Sequence, residues 1–299
     1  MKPADNAFAR DAIEAKGWWG AHRWLVLRRL VQLGVLALFL VGPWFGWWVV
    51  KGNLNYSLTL GTLPLTDPLV MLQSLVTSHA PERNAIIGVG IVLAFYLLVG
   101  GRVYCAWVCP VNVVTDAASA LRRKLDIRGG GDMPRQTRYW ILALILVLAA
   151  TTGGIVWELV NPVSLLPRGL IFGMGAGWLL IGGIFLFDLF VMKRGWCGHL
   201  CPVGAFYSLL GRWSLVRVSA TKREACNNCL DCFVVCPEQQ VIRLPLKGAS
   251  KGVGPMILDS NCSNCGRCID VCSKDVFTFV PRFAPNEAPS PGTGLLPPQ

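Results

Sequence analysis

Four long apolar stretches mark the first two thirds of the chain: Leu30–Val50, Ala85–Tyr104, Tyr139–Trp157 and Leu170–Met192. Each approaches the ~20 residues that an α-helix needs to cross the hydrocarbon core of a bilayer. The first carries Pro43 and Gly46 near its end, which a membrane helix tolerates, and it closes on Trp44, Trp47 and Trp48, an interfacial aromatic belt. It lies behind nearly 30 polar or mixed residues, so it is read as an uncleaved span and not as a signal peptide. The basic residues then orient the spans. Lys2, Arg10, Lys16, Arg23, Arg28 and Arg29 precede the first, and Arg102, Arg122, Arg123, Lys124, Arg128, Arg135 and Arg138 flank or fill the second loop. The first loop holds Lys51 and Arg83, and the third only Arg168. Both termini and the second loop are therefore expected in the cytoplasm of a multi-pass inner-membrane protein.

The pattern divides the chain into a cytoplasmic segment 1–29, a transmembrane domain 30–215, a cytoplasmic cysteine-rich domain 216–280 and a Pro- and Gly-rich tail 281–299 expected to be disordered. Gly129–Gly131 reads as a flexible break in the second loop. Composition agrees: 53% of residues are hydrophobic and 15% charged, against about 25% charged in a soluble domain. The net charge of +11 follows the predicted cytoplasmic segments, and no nucleic-acid-binding motif accompanies it.

All twelve cysteines fall in short spaced motifs, unlike a disulfide framework, which scatters them between strands and loops. Residues 226–236 and 262–272 both read C-x2-C-x2-C-x3-C. In such a doubled run the first three cysteines hold one cuboidal cluster and the fourth serves the other. Cys226, Cys229, Cys232 and Cys272 then hold one [4Fe–4S] cluster, and Cys262, Cys265, Cys268 and Cys236 the second. Paired zinc sites are the alternative, but they do not use this even spacing with a swapped fourth ligand. Ser273 stands where the first run has Pro237.

Two further motifs sit where spans meet the cytoplasm: Arg102-Val-Tyr-Cys105-Ala-Trp-Val-Cys109-Pro110 and Arg194-Gly-Trp-Cys197-Gly-His-Leu-Cys201-Pro202. Asp67-Pro68 and Asn161-Pro162 lie 38 and 36 residues before the first cysteine of each, so the domain is an internal repeat. Cysteines four apart share one face of a helix. Cys105, Cys109, Cys197 and Cys201 are thus candidates for a third redox centre, the alternative being buried structural thiols.

The histidines are His22, His79 and His199, none deep in a span, and no C-x-x-C-H run is present, so haem is not expected. Quinol is the natural substrate of such a membrane redox protein. Glu158, Asp67 and His79 in the non-cytoplasmic loops are candidate acceptors for its protons, the alternative being loop caps and solvated charges. Asp188 lies inside the fourth stretch, where a charge is costly, and Lys193 or Arg194 is its expected partner.

From about residue 10 to residue 280 the chain resembles the NapH-type membrane ferredoxin subunits of periplasmic nitrate reductase systems. The resemblance rests on Gly17-Trp18-Trp19, the run His22 to Arg29, Gly42-Pro43-Trp44-Phe45-Gly46, Leu65-Thr66-Asp67-Pro68-Leu69, both C-x3-C-P motifs, especially Gly195-Trp196-Cys197-Gly198-His199, and both ferredoxin motifs. It implies four transmembrane helices in an internal two-fold repeat, followed by a small α+β bacterial-type 2[4Fe–4S] ferredoxin domain. It also implies one component of a quinol dehydrogenase, working with a NapG-type periplasmic ferredoxin and a downstream cytochrome. The competing function is a membrane polyferredoxin that supports maturation or redox maintenance of a metalloenzyme. The spans contain no evident carrier between cytoplasmic clusters and a periplasmic acceptor.

Overall fold

The structure, a computed structural model, describes residues 9–127, 129–173, 175 and 177–284. The chain is mostly helical and forms two compact units, one of Trp24–Ser214 with Ser260–Cys265, the other of Met1–Arg23, Leu215–Asp259 and Gly266–Gln299. The described N-terminal residues 9–23 group with the ferredoxin region. Helix α1 runs over Arg10–Phe45, interrupted at Gly17, whose φ of 72° no other residue adopts cheaply.

In the helical unit α1 is followed by a three-stranded antiparallel sheet, β1 (Val50–Gly52), β2 (Tyr56–Thr59) and β3 (Leu63–Thr66), with β2 central. Then come α2 (Pro68–Val76), α3 (Arg83–Val99), α4 (Val103–Trp107) and α5 (Val111–Lys124). A second series follows: α6 (Thr137–Thr152), α7 (Val156–Leu159), α8 (Pro162–Phe172), α9 (Gly177–Leu186) and, after two π turns at Phe187–Val191 and Trp196–Leu200, α10 (Pro202–Leu210). The matching Asp-Pro and Asn-Pro pairs start α2 and α8 in the same way. Asp67 caps α2 by accepting the Leu69 and Val70 amides, and Asn161 caps α8 by accepting that of Val163. In both, Pro at the first helical position forfeits an amide that would have had no partner. The two series interlock, since α5 of the first packs against α8 and α9 of the second.

Each of the four apolar stretches contains helix, but among the described residues only α1 is long and apolar enough to cross a membrane by itself. Arg83–Val99, Thr137–Thr152 and Gly177–Val191 are apolar helices of 10–17 residues. Glycine ends two of them early: Gly100, at φ 139°, closes α3, and Gly153, left-handed at φ 69°, closes α6. The first loop carries the β1–β3 sheet. Its turn is organised by Asn53, whose Oδ1 accepts the amides of Asn55 and Tyr56. Around the predicted break at Gly129–Gly131, the Gly131 amide donates to the Val191 carbonyl at 2.8 Å, and Arg122 donates to the Gly129 carbonyl.

Asp188 is fully buried in the first π turn and accepts the Trp196 amide through Oδ1 at 2.9 Å. Its expected partner Arg194 lies within electrostatic range of it and also forms an ion pair with Asp116 at 2.8 Å. The other oxygen, Oδ2, makes no hydrogen bond among the described residues.

The other unit contains β4 (Val216–Ser219), α11 (Asp231–Val235), α12 (Gln240–Lys247), α13 (Arg267–Asp270) and β5 (Thr278–Pro281), with β4 and β5 antiparallel, Val218 opposite Phe279. Lys16 belongs here too: its ammonium donates to the Ile269 carbonyl at 2.9 Å and pairs with Asp275 at 2.6 Å. Of the tail expected from 281 onward, Pro281 lies in β5, and 285–299 fall outside the described residues.

Candidate redox and quinol sites

The C-x3-C-P motifs differ from the helical turn expected of them. In both, the second cysteine closes a wider turn: the Cys109 amide donates to the Tyr104 carbonyl at 3.0 Å and the Cys201 amide to the Trp196 carbonyl at 2.9 Å. Each bond joins residues five apart, the π pattern that recurs at functional sites. The proline after each motif then starts a new helix, as Pro202 does at the first position of α10.

The fold gathers the four thiols of the two motifs. Cys109 lies within electrostatic range of Cys105 and Cys201, and Cys197 within range of Cys201, Cys109 and Cys105. Cys109 is buried, and Cys105 and Cys201 pack against the same core. Burial, reinforced by the neighbouring thiols, pushes Cys109 and Cys197 above the usual thiol range and Cys201 up to about 12. Bare, the quartet is a set of neutral thiols, and a bound metal charge is what deprotonates such ligands. Among the described residues no three His, Cys, Asp or Glu groups stand close enough for a single metal ion, and this is as true of the ferredoxin cysteines as of the quartet. A cuboidal cluster takes one thiolate at each of four separate corners. Four thiols are the number of donors that a cuboidal cluster takes.

In the ferredoxin region a small cavity of about 20 Å³ is lined by Cys226, Cys229, Cys232 and Cys272, walled by Leu246, Val271, Val276 and Phe277. Three cysteines of one motif and the last of the other thus face one space. Burial and the fields of Cys229, Cys272 and Cys226 push Cys232 up to about 12. The turns of both motifs share one backbone signature. Asn228 and Leu230 have φ of 61° and 68°, and the equivalent Asn264 and Gly266 have 45° and 71°. Leucine in this region costs about 1–2 kcal/mol, so the strain at Leu230 marks a turn held open by its surroundings. Of the second set, Cys262 and Cys265 belong to the helical unit and Cys236 and Cys268 to the other.

Asp67 and Glu158, two of the three candidate proton acceptors, meet around Asn55. The Asp67 amide donates to the Asn55 carbonyl at 2.7 Å, and the Asn55 side chain donates to Glu158 Oε2. That oxygen also accepts from Asn161 Nδ2 at 3.2 Å and Ser164 Oγ at 3.1 Å, while Arg168 approaches Oε1 at 3.9 Å. Asp67 is buried, and Tyr207 donates its hydroxyl to Oδ2 at 3.4 Å. His79 stands apart, exposed beyond α2 and hydrogen-bonded to the Thr77 hydroxyl at 2.8 Å.

Desolvation pushes the Asp67 carboxyl up to about 6. A carboxylate raised on folding binds its proton more tightly in the native state, so stability falls as pH rises from about 4 to 6 and stays low above, a loss of about 3 kcal/mol. Asp67→Asn keeps the capping oxygen, as Asn161 does at the matching position. It should therefore equal the wild type at pH 4 and exceed it at pH 8 in the denaturant midpoint. Identical pH profiles for the two would show that the buried charge is not what costs stability.

Reasoning from sequence missed several residues of the site. Tyr104 and Tyr207 stack at 4.9 Å and 18°, with Tyr96 edge-on to both, between Asp67 and the quartet. The shared Arg three residues before each first cysteine was visible, but not its use. Arg102 donates to the Cys197 carbonyl of the other motif at 3.2 Å, and Arg194 reaches Asp116 in α5. Each motif is braced across the repeat.

The chain matches the family described as 4Fe-4S binding domain over residues 84–128 and again over 174–220, one match around each C-x3-C-P motif. Residues 225–276 match the family described as 4Fe-4S dicluster domain. No solved structure matches the chain. The ferredoxin-type protein NapH of Escherichia coli is 51% identical over 92% of this chain and 95% of its own, and that of Haemophilus influenzae 50% identical over 95% and 98%. The methylamine utilization ferredoxin-type protein MauN of Methylorubrum extorquens is 52% identical over 91% and 94%. The chain belongs to the NapH-type ferredoxin family, and the MauN proteins stand equally near it in sequence.

Proposed function

We propose that this protein is the membrane electron-transfer component of a quinol dehydrogenase, with three iron–sulfur centres. The observation that carries the reading is that Cys105, Cys109, Cys197 and Cys201, from both repeats, lie within electrostatic range of one another. These four would hold one [4Fe–4S] cluster, Cys226, Cys229, Cys232 and Cys272 a second, and Cys262, Cys265, Cys268 and Cys236 a third. When bound, such clusters supply one-electron acceptance at fixed positions. Quinol releases two protons and two electrons on oxidation. Glu158, with three donors on one oxygen, and Asp67 are the bases that take the protons, and His79 is a more remote acceptor.

We read the four apolar helices as four spans of the bacterial inner membrane, with both termini cytoplasmic, α1 alone reaching full length and the others completed by their π turns and flanking loops. The partners that follow from membership of the NapH family are membrane lipid, quinol, a NapG-type periplasmic ferredoxin and a downstream cytochrome serving nitrate reductase. A second reading, electron supply for maturation or redox maintenance of another metalloenzyme, draws on the equal similarity to a protein named for methylamine utilization.

The test is iron analysis and EPR of Cys105→Ser and Cys197→Ser. Each should lose roughly four irons and one signal while both ferredoxin signals persist. Unchanged iron and unchanged quinol-dependent reduction would sink the third centre. Deleting the gene and finding nitrate reduction intact would favour the second reading.

A further inference from the structure

The turn Asn261–Cys265 is tied to the C-x3-C-P motifs by three side chains. Arg102 donates from Nη1 to the Asn261 carbonyl at 3.0 Å and from Nη2 to the Cys197 carbonyl at 3.2 Å, so one guanidinium bridges the two cysteine sites. Arg138 does the same one residue along, donating to Asn261 Oδ1 and to the Gly198 carbonyl. Trp107, which lies between Cys105 and Cys109, donates its indole N–H to the Asn264 carbonyl at 3.1 Å, between Cys262 and Cys265. Asn264 returns a bond from Nδ2 to the Val99 carbonyl at 3.0 Å.

Glycine makes the approach possible. A Cβ at Gly100 would meet Asn264 Nδ2 at 2.7 Å, and one at Gly211 would meet the Ser260 carbonyl at 2.9 Å. Every one of these contacts lies inside the helical unit, of which Ser260–Cys265 is a part. Buried arginines hydrogen-bonded on both sides fix a geometry that flexible lysines would not. Electron exchange between two sites depends on their separation and on the bonded path between them. Here that path is two short hydrogen-bonded bridges, Cys197–Arg102–Asn261–Cys262 and Cys105–Trp107–Asn264–Cys265.

We infer that the ferredoxin cluster built on Cys262 and Cys265 is the one that exchanges electrons directly with the C-x3-C-P centre, and that Trp107 and Arg102 are the residues that position this junction. The inference rests on the proposed third centre. One electron leaves the reduced site and enters the oxidised one, with no bond broken and no proton moved.

The experiment uses the full-length holoprotein in detergent, with reduced menaquinol analogue or a flash photoreductant as donor. Iron content, the EPR spectrum of the reduced state and the rate of cluster bleaching are read for each variant. Trp107→Phe retains the ring that packs edge-on to Trp24 at 6.0 Å but has no N–H to donate. It should keep full iron and all signals, while ferredoxin bleaching slows severalfold and the magnetic interaction between the C-x3-C-P centre and its neighbour changes. Cys262→Ser should leave the Cys226 cluster in place but unreduced on the fast phase, whereas Cys226→Ser should leave the Cys262 cluster reduced at the wild-type rate. Fast reduction of the Cys226 cluster in Cys262→Ser, or wild-type rates and spectra in Trp107→Phe, would overturn the inference. Failure of the underlying reading has a different signature: Cys105→Ser and Cys197→Ser that lose no iron.

Discussion

Replacing Cys272 with serine should abolish the cluster site shared by Cys226, Cys229 and Cys232, and spare the one built on Cys262, Cys265 and Cys268. The last cysteine of the second motif lines the cavity of the first, and the Val276 amide donates to its sulfur at 3.4 Å. A cuboidal cluster with three thiolates and one open corner is weakly held, and cluster binding free energy in such small domains is also folding free energy. Roughly four irons and one of the two ferredoxin EPR signals should disappear. The region around Leu246, Val276 and Phe277, which walls the cavity, should become protease-sensitive. Loss of the other ferredoxin signal instead would mean that the two motifs do not exchange their fourth ligand.

The second large effect should come from Asp116. It pairs with Arg29, with Arg194 at 2.8 Å and with Arg28 at 3.9 Å, and all four side chains are largely withdrawn from solvent. One carboxylate from α5 thus balances cations from α1 and from the second C-x3-C-P motif. Removing one partner of a buried ion pair costs about 3–5 kcal/mol, because the remaining charge stays buried and uncompensated. Here three guanidinium groups would be left facing one another. Asp116→Ala is expected to lower stability by about that amount, and Asp116→Asn, which keeps the shape but not the charge, by nearly as much. Denaturant or thermal midpoints in detergent measure it, and a loss below about 1 kcal/mol in both variants would show that solvent or lipid headgroups already screen the cluster.

Much of the site was legible because its chemistry is written locally. The C-x2-C-x2-C-x3-C runs name their own ligands, since three cysteines in one tight turn can face one cavity without help from the rest of the fold. The matching Asp67-Pro68 and Asn161-Pro162 pairs predict two equivalent helix starts, because capping depends on residues two or three apart. The four apolar stretches predict four helices by the same logic of short-range pattern. The pattern overstated their lengths, because apolar character continues past Gly100 and Gly153 while the backbone does not. The first-loop sheet was hidden: strands of three or four residues, one carrying Pro64, leave no alternation to read.

By itself, then, the sequence determined the kinds of group this protein carries: eight ferredoxin thiols, a duplicated C-x3-C pair, and a carboxylate and an amide set before matching prolines. Only the tertiary structure decided which of them meet. Asp67 reaches Tyr207 across 140 positions of chain, Asn55 bridges to Glu158 across 103, and Arg102 and Trp107 hold the Asn261–Cys265 turn across 159 and 157. No local periodicity encodes such separations. They follow from interlocked packing of the two repeats and from glycines that let backbones touch, and that packing brings cysteines far apart in the chain near one another.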